Sequence, residues 1–581
     1  MVALIAVIFA LTSVHLIRTI GDSDFFWHLK TGEWIWQHKS LPSEDPFSYT
    51  SMGLQSTREH FILTSYWLTQ VIYYLTYLAG GMTGIVFLRF IFTGVLIYAL
   101  LRLKEGDDVL YLCLMVIFLA VFLEGYSIER PQVFSFLFFA VLLHLLRKIK
   151  SSPDGGPGLR PGTEILLLPA LMLLWANMHG GYVLGQVVIV LFLLVEGLKF
   201  IHPSLGPVKK EVYGRLLTSG AAGIIFSLVN PNTYHALPEM MRMSGFLVLY
   251  TNEYKSTPEA FRMFNDYSIL LYWLTLFLTA AGFALRPKKT DLTEVVLLAG
   301  AGFFSFTRIR YMPFFMISAL PFMGRLFFEG GLLKPFRVFI LFVALFSGSY
   351  FTWNERANFG NLMSGTWVER FFFPANAVDF IIGSNLRGNM YNHNMWGGYL
   401  IWRLSPERKV FIDSRALDEQ VVARALLIDG AYAKEIAGMP AWRSNLEAYN
   451  VTYILIPFFQ PEGPILPLLT ALLQDKDWVP VFFHLNSVIF VKDSPENYRT
   501  IRTYSIPKDF FIEDLIQVCN RLIKASPRNI SPYIAKGDLY IISRAGFEKA
   551  REAYQKAIDI APLNPIAKER KKLLETRKNG S

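Results

Sequence analysis

Twelve apolar runs follow one another through the first 352 residues, near 2–20, 62–79, 84–101, 109–125, 132–147, 164–178, 181–198, 216–229, 268–285, 292–307, 311–328 and 335–352. No other feature of the chain narrows its fold so much. A run of about 20 apolar residues, rising 1.5 Å per residue, crosses a bilayer as a helix that satisfies its own backbone. Composition agrees, since 53% of the 581 residues are hydrophobic and only 18% are charged. Soluble domains carry about a quarter charged residues. An all-α polytopic membrane domain of about 11–13 helices is expected over residues 1–352. Its N-terminal run lacks a basic flank and a small-residue cleavage site, so it is expected to stay as a membrane helix.

The net charge of +10 matters less than its placement. Basic residues crowd the turns Arg147–Lys150, Lys209-Lys210 with Arg215, and Arg286–Lys289, which predicts that these turns are cytoplasmic. No soluble segment carries a basic stripe, which excludes nucleic acid as a partner. Cys113 and Cys519 stand too far apart to suggest a disulfide framework or a metal site.

With the C-terminal part placed outside, Tyr126–Gln132, Asn177–Gly181, Asn230–Asp266 and Arg308–Arg310 fall on the outer side. Twelve full crossings would then leave the loop after the first helix inside. Segment 62–79 is the weakest crossing, carrying Thr64, Ser65, Tyr66, Thr69, Gln70, Tyr73, Tyr74 and Tyr77, and it reads better as interfacial. A thirteenth helix within 230–266 would also repair the count.

Beyond a linker at 353–369 the pattern changes. Period-two runs at Val410–Ile412, Tyr453–Ile456, Val479–Phe483 and Val488–Val491 alternate with helical patterns at Ala375–Ile382 and Ala423–Ile436. They predict a small extracytoplasmic α/β domain over 370–495. Residues 505–575 follow a tetratricopeptide (TPR)-like spacing, with Ala545, Ala550, Ala553, Tyr554, Ala557 and Pro562 in place. One clear repeat is too little to stand alone, so this helical hairpin is expected to lean on the α/β domain or on a protein partner.

Chemistry-bearing residues gather in the expected outer turns. Asp22 and Asp24, with His28, open the first outer loop, 21–61. Carboxylates so spaced can bind a divalent cation, magnesium or manganese, or take the proton of an incoming hydroxyl. Glu129-Arg130 begins an apolar helix, where an arginine suits a phosphate. Asn177 and His179 lie between two apolar runs beside Gly180 and Gly181. Arg308 and Arg310 sit on the side that basic residues avoid, which points to an anionic ligand. Asn394, Asp413 and Arg415 lie near expected strand ends, where loops collect either binding groups or structural networks. Asn230–Asn232 and Asn252–Tyr254 read as structural. Together these turns describe an enzyme for a substrate with a lipid tail, a phosphate and a reacting polar head.

An acidic first loop, many further helices and a soluble outer domain resemble the C-type (GT-C) membrane glycosyltransferases. More closely, Asp24–Gly32, Asp45–Thr50, Arg130–Gln132, Trp175–Gly181, Trp396–Leu400 and Phe411–Arg415 resemble a bacterial GT-C-like family over residues 1–460. The resemblance implies a multi-pass protein of the bacterial inner membrane. It would move a sugar from a polyprenyl-phosphate-linked donor to a protein, lipid or glycan acceptor on the extracytoplasmic side. Asp22, Asp24 and His28 would be catalytic, and Arg130, Arg308 and Arg310 would hold the donor phosphate. Glu129, Asn177, His179, Asn394, Asp413 and Arg415 are candidates for substrate contact. Two other readings stay open at this point: a non-catalytic scaffold recruiting envelope or filament partners through its outer domain and tail, and a polysaccharide ligase or polymerase.

Overall fold

The computed structural model describes the chain except residues 1, 52, 54–55, 105–107, 127–128, 152–162, 243–251, 265, 286–289, 329–336, 370–371, 437, 544–545, 563 and 580–581. The basic turn Arg286–Lys289, Ala545 and part of the 230–266 segment lie outside the described residues. The chain divides into two compact units, Met1–Ser43 with Gln55–Val368, and Glu44–Leu54 with Glu369–Ser581.

The first unit is helical. Among the described residues, four helices are long and apolar enough to cross a membrane: Trp67–Arg102, Gln132–Ser151, Ser268–Leu285 and Arg337–Ser364. Val2–Leu16, Tyr111–Leu123, Leu166–Met178, Tyr182–Leu198 and Leu292–Thr307 are shorter apolar helices. The apolar run at 62–79 is not one helix. Ser56 caps a short helix, Thr57–Thr64, by accepting the Glu59 N–H at 3.0 Å. A second helix starts at Trp67 and runs to Arg102, with a break at Gly81 (φ 58°, ψ −149°) that a side chain would resist.

The segment after the first helix also holds a helix, Ser23–His38. Asp22 caps it by accepting the Asp24 N–H at 2.8 Å, and Asp24 places its charge in the first turn, where the helix dipole favours it. The helix is amphipathic in the ordinary way. Phe25, Phe26 and Leu29 are buried, while Trp36 is exposed.

The second unit holds a four-stranded sheet. Its strands are β1 (Asn389–Asn392), β4 (Val451–Pro457), β5 (Trp478–His484) and β6 (Ser487–Lys492), in the order β1-β4-β6-β5. A small ribbon pairs β2 (Glu435–Ile436) with β3 (Met439–Pro440). β1 runs parallel to β4, and the other neighbours are antiparallel, with Ile454 opposite Phe490 and Val479 opposite Val491. Val410–Ile412 is not a strand of this sheet. Its backbone is taken by the 44–54 stretch, through Val410 N to Phe47 O at 3.0 Å and Tyr49 N to Val410 O at 3.2 Å. That single bridge is too short to extend.

Helices Lys508–Ala525, Ser531–Ile542, Phe547–Ile560 and Pro565–Asn579 follow. Ala550 and Ala557 are fully buried, as close helix packing requires. The helices rest on the sheet domain's 461–465 loop: Ser531 Oγ donates to Pro461 O at 2.6 Å, and Asp538 accepts the Ile465 N–H at 3.0 Å.

Asp45 joins its stretch to the second unit through charge. Arg415 donates to Asp45 at 2.6 Å and to Asp413 at 2.7 Å, and all three are buried. Burial alone would push the Asp45 carboxyl up, but Arg415 and the Ser48 hydroxyl overcome it and hold it below the ordinary carboxylate value. Removing one partner leaves a buried charge uncompensated, at a cost of about 3–5 kcal/mol. Arg415→Met is expected to lower the unfolding temperature of the purified protein and to open the 44–54 stretch to protease. Intact resistance in this variant would show that the pair contributes little.

Candidate functional site

Arg130 is the centre of a cluster drawn from several separated segments of the helical unit. Its guanidinium donates to Asp22 at 2.5 Å, reaches Asp24 at 3.2 Å and pairs with Glu253. Burial works against the Arg130 charge, yet Asp22, Asp24 and Glu253 together hold its pKa well above the ordinary arginine value. The two aspartates differ in how they are held. Asp22 is 7% exposed and doubly engaged as cap and ion pair, whereas Asp24 is 23% exposed and held over longer contacts, to Arg130 and to Trp27 Nε1 at 3.3 Å.

Tyr254, next to Glu253, receives both Arg308 and Arg310. The Arg310 guanidinium lies 4.6 Å from its ring centre and that of Arg308 5.4 Å. Among the described residues neither arginine is paired with a carboxylate. Tyr126 closes this side by donating to Ile309 O at 2.5 Å.

His28, one helical turn beyond Asp24, is buried. Its ring lies 3.5 Å from that of Trp27 and meets Tyr66 edge-on at 5.0 Å, and its Nδ1 is 3.1 Å from Gln70 Nε2. Burial keeps the Tyr66 phenol protonated, pushing its pKa up to about 12. Tyr66 also meets His179, with ring centres 5.6 Å apart. The backbone N–H of Gly181 donates to His179 Nδ1 at 2.9 Å, and Ser135 Oγ is 2.6 Å away. A nitrogen that accepts from an amide carries no proton, so the neutral ring bears its hydrogen on Nε2. A Cβ on Gly181 would lie 2.5 Å from Ser135 Oγ and 2.7 Å from His179 Nδ1, so the arrangement needs glycine there. Burial and then the Arg310 charge lower the His179 pKa to about 3.

The other expected contact residues are placed elsewhere. Glu129 pairs with Arg89, both almost fully buried, and Arg89 also donates to Leu16 O at 2.9 Å and Arg18 O at 2.7 Å. Through Arg89 its carboxylate fixes the end of the first helix. Asn177 accepts from Trp67 Nε1 at 3.0 Å and donates to Val229 O at 2.8 Å, which locks helices together. Asn394, Asp413 and Arg415 belong to the second unit, where Asp413 and Arg415 serve the Asp45 network and Asn394 begins a 3-10 turn. Glu253 and Tyr254 are the residues that sequence reading passed over as structural. Their only signal was an acid beside an aromatic in an expected outer segment.

The guanidinium of Arg130 occupies the place that a magnesium or manganese ion held by Asp22 and Asp24 would take. Among the described residues, no group of three or more His, Cys, Asp or Glu side chains is spaced to hold a metal ion. The residues as placed do not fit the expected cation.

No family model and no curated protein matches the chain. Among solved structures it is similar to the oligosaccharyltransferase AglB of the archaeon Archaeoglobus fulgidus in complex with an inhibitory peptide and a dolichol-phosphate. The identity is 10% and the TM-score 0.48, over 96% of this chain and 86% of that one. The same enzyme in its apo form gives 11% identity and a TM-score of 0.46, over 85% and 74% of the two chains. Its complex with zinc and sulfate gives 11% and 0.46, over 95% and 85%. Likeness at this level decides neither fold family nor chemistry, so function has to be derived from this chain's own residues.

The His179 assignment is testable through pH. An unfolded histidine takes a proton near pH 6.5, and this one does so in the folded protein only near 3. Between these values the unfolded state binds the extra proton, so stability falls as pH falls. His179→Gln is expected to flatten the loss of unfolding temperature between pH 6.5 and pH 4 relative to the parent. An unchanged slope would mean that the ring is solvated.

Proposed function

We propose that the chain is a membrane glycosyltransferase that takes a sugar from a polyprenyl-phosphate-linked donor and gives it to a protein, lipid or glycan acceptor. The observation that carries this reading is the convergence of Asp22, Asp24 and Glu253 on Arg130, directly beside two arginines stacked on Tyr254. One half offers carboxylates and the other offers cations, both at the ends of apolar helices. Such a division suits a reaction in which a proton leaves one reactant while negative charge grows on another.

In this reading the acceptor attacks the anomeric carbon of the sugar. The bond from that carbon to the phosphate oxygen breaks, and the lipid phosphate leaves with the electron pair. Asp24 takes the acceptor proton, because it is the more exposed of the two aspartates. Asp22 keeps the helix start in place and orients Arg130. Arg308 and Arg310 receive the phosphate charge, in the bidentate manner that guanidinium favours. His28 supports the aromatic wall on which Asp24 stands, and neutral His179 offers its Nε2–H as a donor. No divalent ion enters these steps, since Arg130 already supplies the positive charge between the carboxylates.

The reading further places the chain in a bacterial inner membrane with this site on the extracytoplasmic side. The helices of 505–575 would be a TPR-like surface for a protein partner. Transfer of a whole glycan by a polysaccharide ligase or polymerase stays as the alternative reading.

Asp22→Asn combined with Asp24→Asn is expected to lower transfer of a labelled sugar from a polyprenyl-phosphate donor by at least ~100-fold, with folding judged by unfolding temperature. Arg308→Gln with Arg310→Gln should instead raise the donor KM. Normal transfer by the doubly substituted aspartate variant would make the Asp22–Asp24 loop structural and sinks the proposal.

A further inference from the structure

Arg89 and Glu129 meet inside the helical unit through one hydrogen bond, which Arg89 Nη2 donates to Glu129 Oε1. A guanidinium and a carboxylate often pair side by side through two such bonds. Here Arg89 Nη1 is spent on the carbonyls of Leu16 at 2.9 Å and Arg18 at 2.7 Å. That leaves Arg89 Nε and Glu129 Oε2, which have no hydrogen-bond partner among the described residues. The Tyr73 hydroxyl is likewise without one. Tyr73 and Arg89 are 2% exposed and Glu129 is 3% exposed, so bulk water does not serve them. Polar groups buried in this way are costly unless something bonds to them.

The three residues line one cavity of about 10 Å³, whose apolar walls include Ile85, Phe92, Val133 and Phe134. Tyr73 and Arg89 come from helix Trp67–Arg102, on either side of its break at Gly81, and Glu129 from just before helix Gln132–Ser151. A space of about 10–15 Å³ holds one water and nothing larger. What the three atoms offer agrees with that size. Arg89 Nε–H only donates, the carboxylate oxygen only accepts, and the tyrosine hydroxyl does either. A ligand between them must therefore both accept and donate. It must also be uncharged, because a cation would face Arg89 and an anion would face Glu129. Water meets each condition, and about three hydrogen bonds are usual for a buried one.

We propose that this cavity is a binding site for a single water molecule. The water accepts from Arg89 Nε, donates to Glu129 Oε2 and makes its third hydrogen bond with the Tyr73 hydroxyl. It completes the pairing that guanidinium and carboxylate leave unfinished, and it ties Tyr73 to both. Glu129 is the residue before Arg130, so the water steadies the turn from which Arg130 reaches Asp22, Asp24 and Glu253. The site holds whether or not that cluster transfers a sugar.

The test is X-ray radiolysis of the full chain, purified in detergent, with oxidised residues located by mass spectrometry. Hydroxyl radicals formed in bulk water reach accessible side chains, whereas a radical formed from a bound water oxidises the groups that hold it. Tyr73 is expected to be oxidised several-fold faster than Tyr111, which is at least as buried and donates its hydroxyl to Leu100 O at 2.6 Å. Val133→Ile adds a methylene to the cavity wall and touches no polar atom. It should bring Tyr73 down to the Tyr111 rate and leave the exposed Tyr498 unchanged. A density map of the parent protein, at a resolution that shows ordered water, should carry a peak within hydrogen-bond distance of all three atoms. Oxidation of Tyr73 no faster than that of Tyr111 overturns the proposal, as does a rate that Val133→Ile leaves unchanged. So does a map that resolves the three side chains and shows no peak between them.

Discussion

A guanidinium withdrawn from water must be given anions or carbonyl oxygens, or the fold does not form. Three arginines impose that condition here. Arg89 takes Glu129 and the carbonyls at the end of the first helix. Arg130, its neighbour through Glu129, takes Asp22, Asp24 and Glu253. Arg415 takes Asp45 and Asp413 in the other unit. Each gathers segments far apart in the chain, and none of the gathered carboxylates has an apolar reason to be where it is. The geometry of the Arg130 cluster follows from this demand, because Glu129 fixes where Arg130 begins and Arg130 fixes the rest.

Much of the architecture was legible because lipid and core burial leave a strong periodic trace. The apolar runs at 132–147, 181–198, 268–285 and 292–307 each contain or become a helix. Polar segments were harder. Ser23–His38 is a helix because Asp22 caps it, but its mixture of Asp, His, Lys and Glu reads as a loop when apolar spacing is the guide. β1 was missed for the same reason, since Asn389-Met390-Tyr391-Asn392 has no apolar alternation; its place is set by pairing with β4. Val410–Ile412 shows the opposite error, an apolar triplet whose partner is a stretch some 360 residues earlier.

The candidate cluster was legible in its residue types and less so in its pairings. Asp22, Asp24, His28, Arg308 and Arg310 stand out as polar groups beside apolar runs; the structure brings the aspartates to Arg130, the two arginines to Tyr254 and His28 to Trp27 and Tyr66. That Arg130 serves carboxylates could not be read from sequence, because it depends on Glu253, 123 residues further along. Asn177 and Glu129 carry the same outward signal as the clustered residues, yet both are engaged in holding helices. Charge beside lipid marks a demand for partners, and only the fold says whether a substrate or a neighbour meets it.

The Asp45–Arg415 pair has a consequence for the order in which the protein comes into being. The two residues are 370 positions apart, and the 44–54 stretch belongs to a unit whose remaining parts begin at residue 369. Ribosomes add about 5–20 residues each second. For roughly 20 to 70 seconds at that rate the stretch has left the ribosome while its arginine does not yet exist. Asp45 waits that long with its charge in water, and the second unit can close only after a piece made early is taken up by one made late.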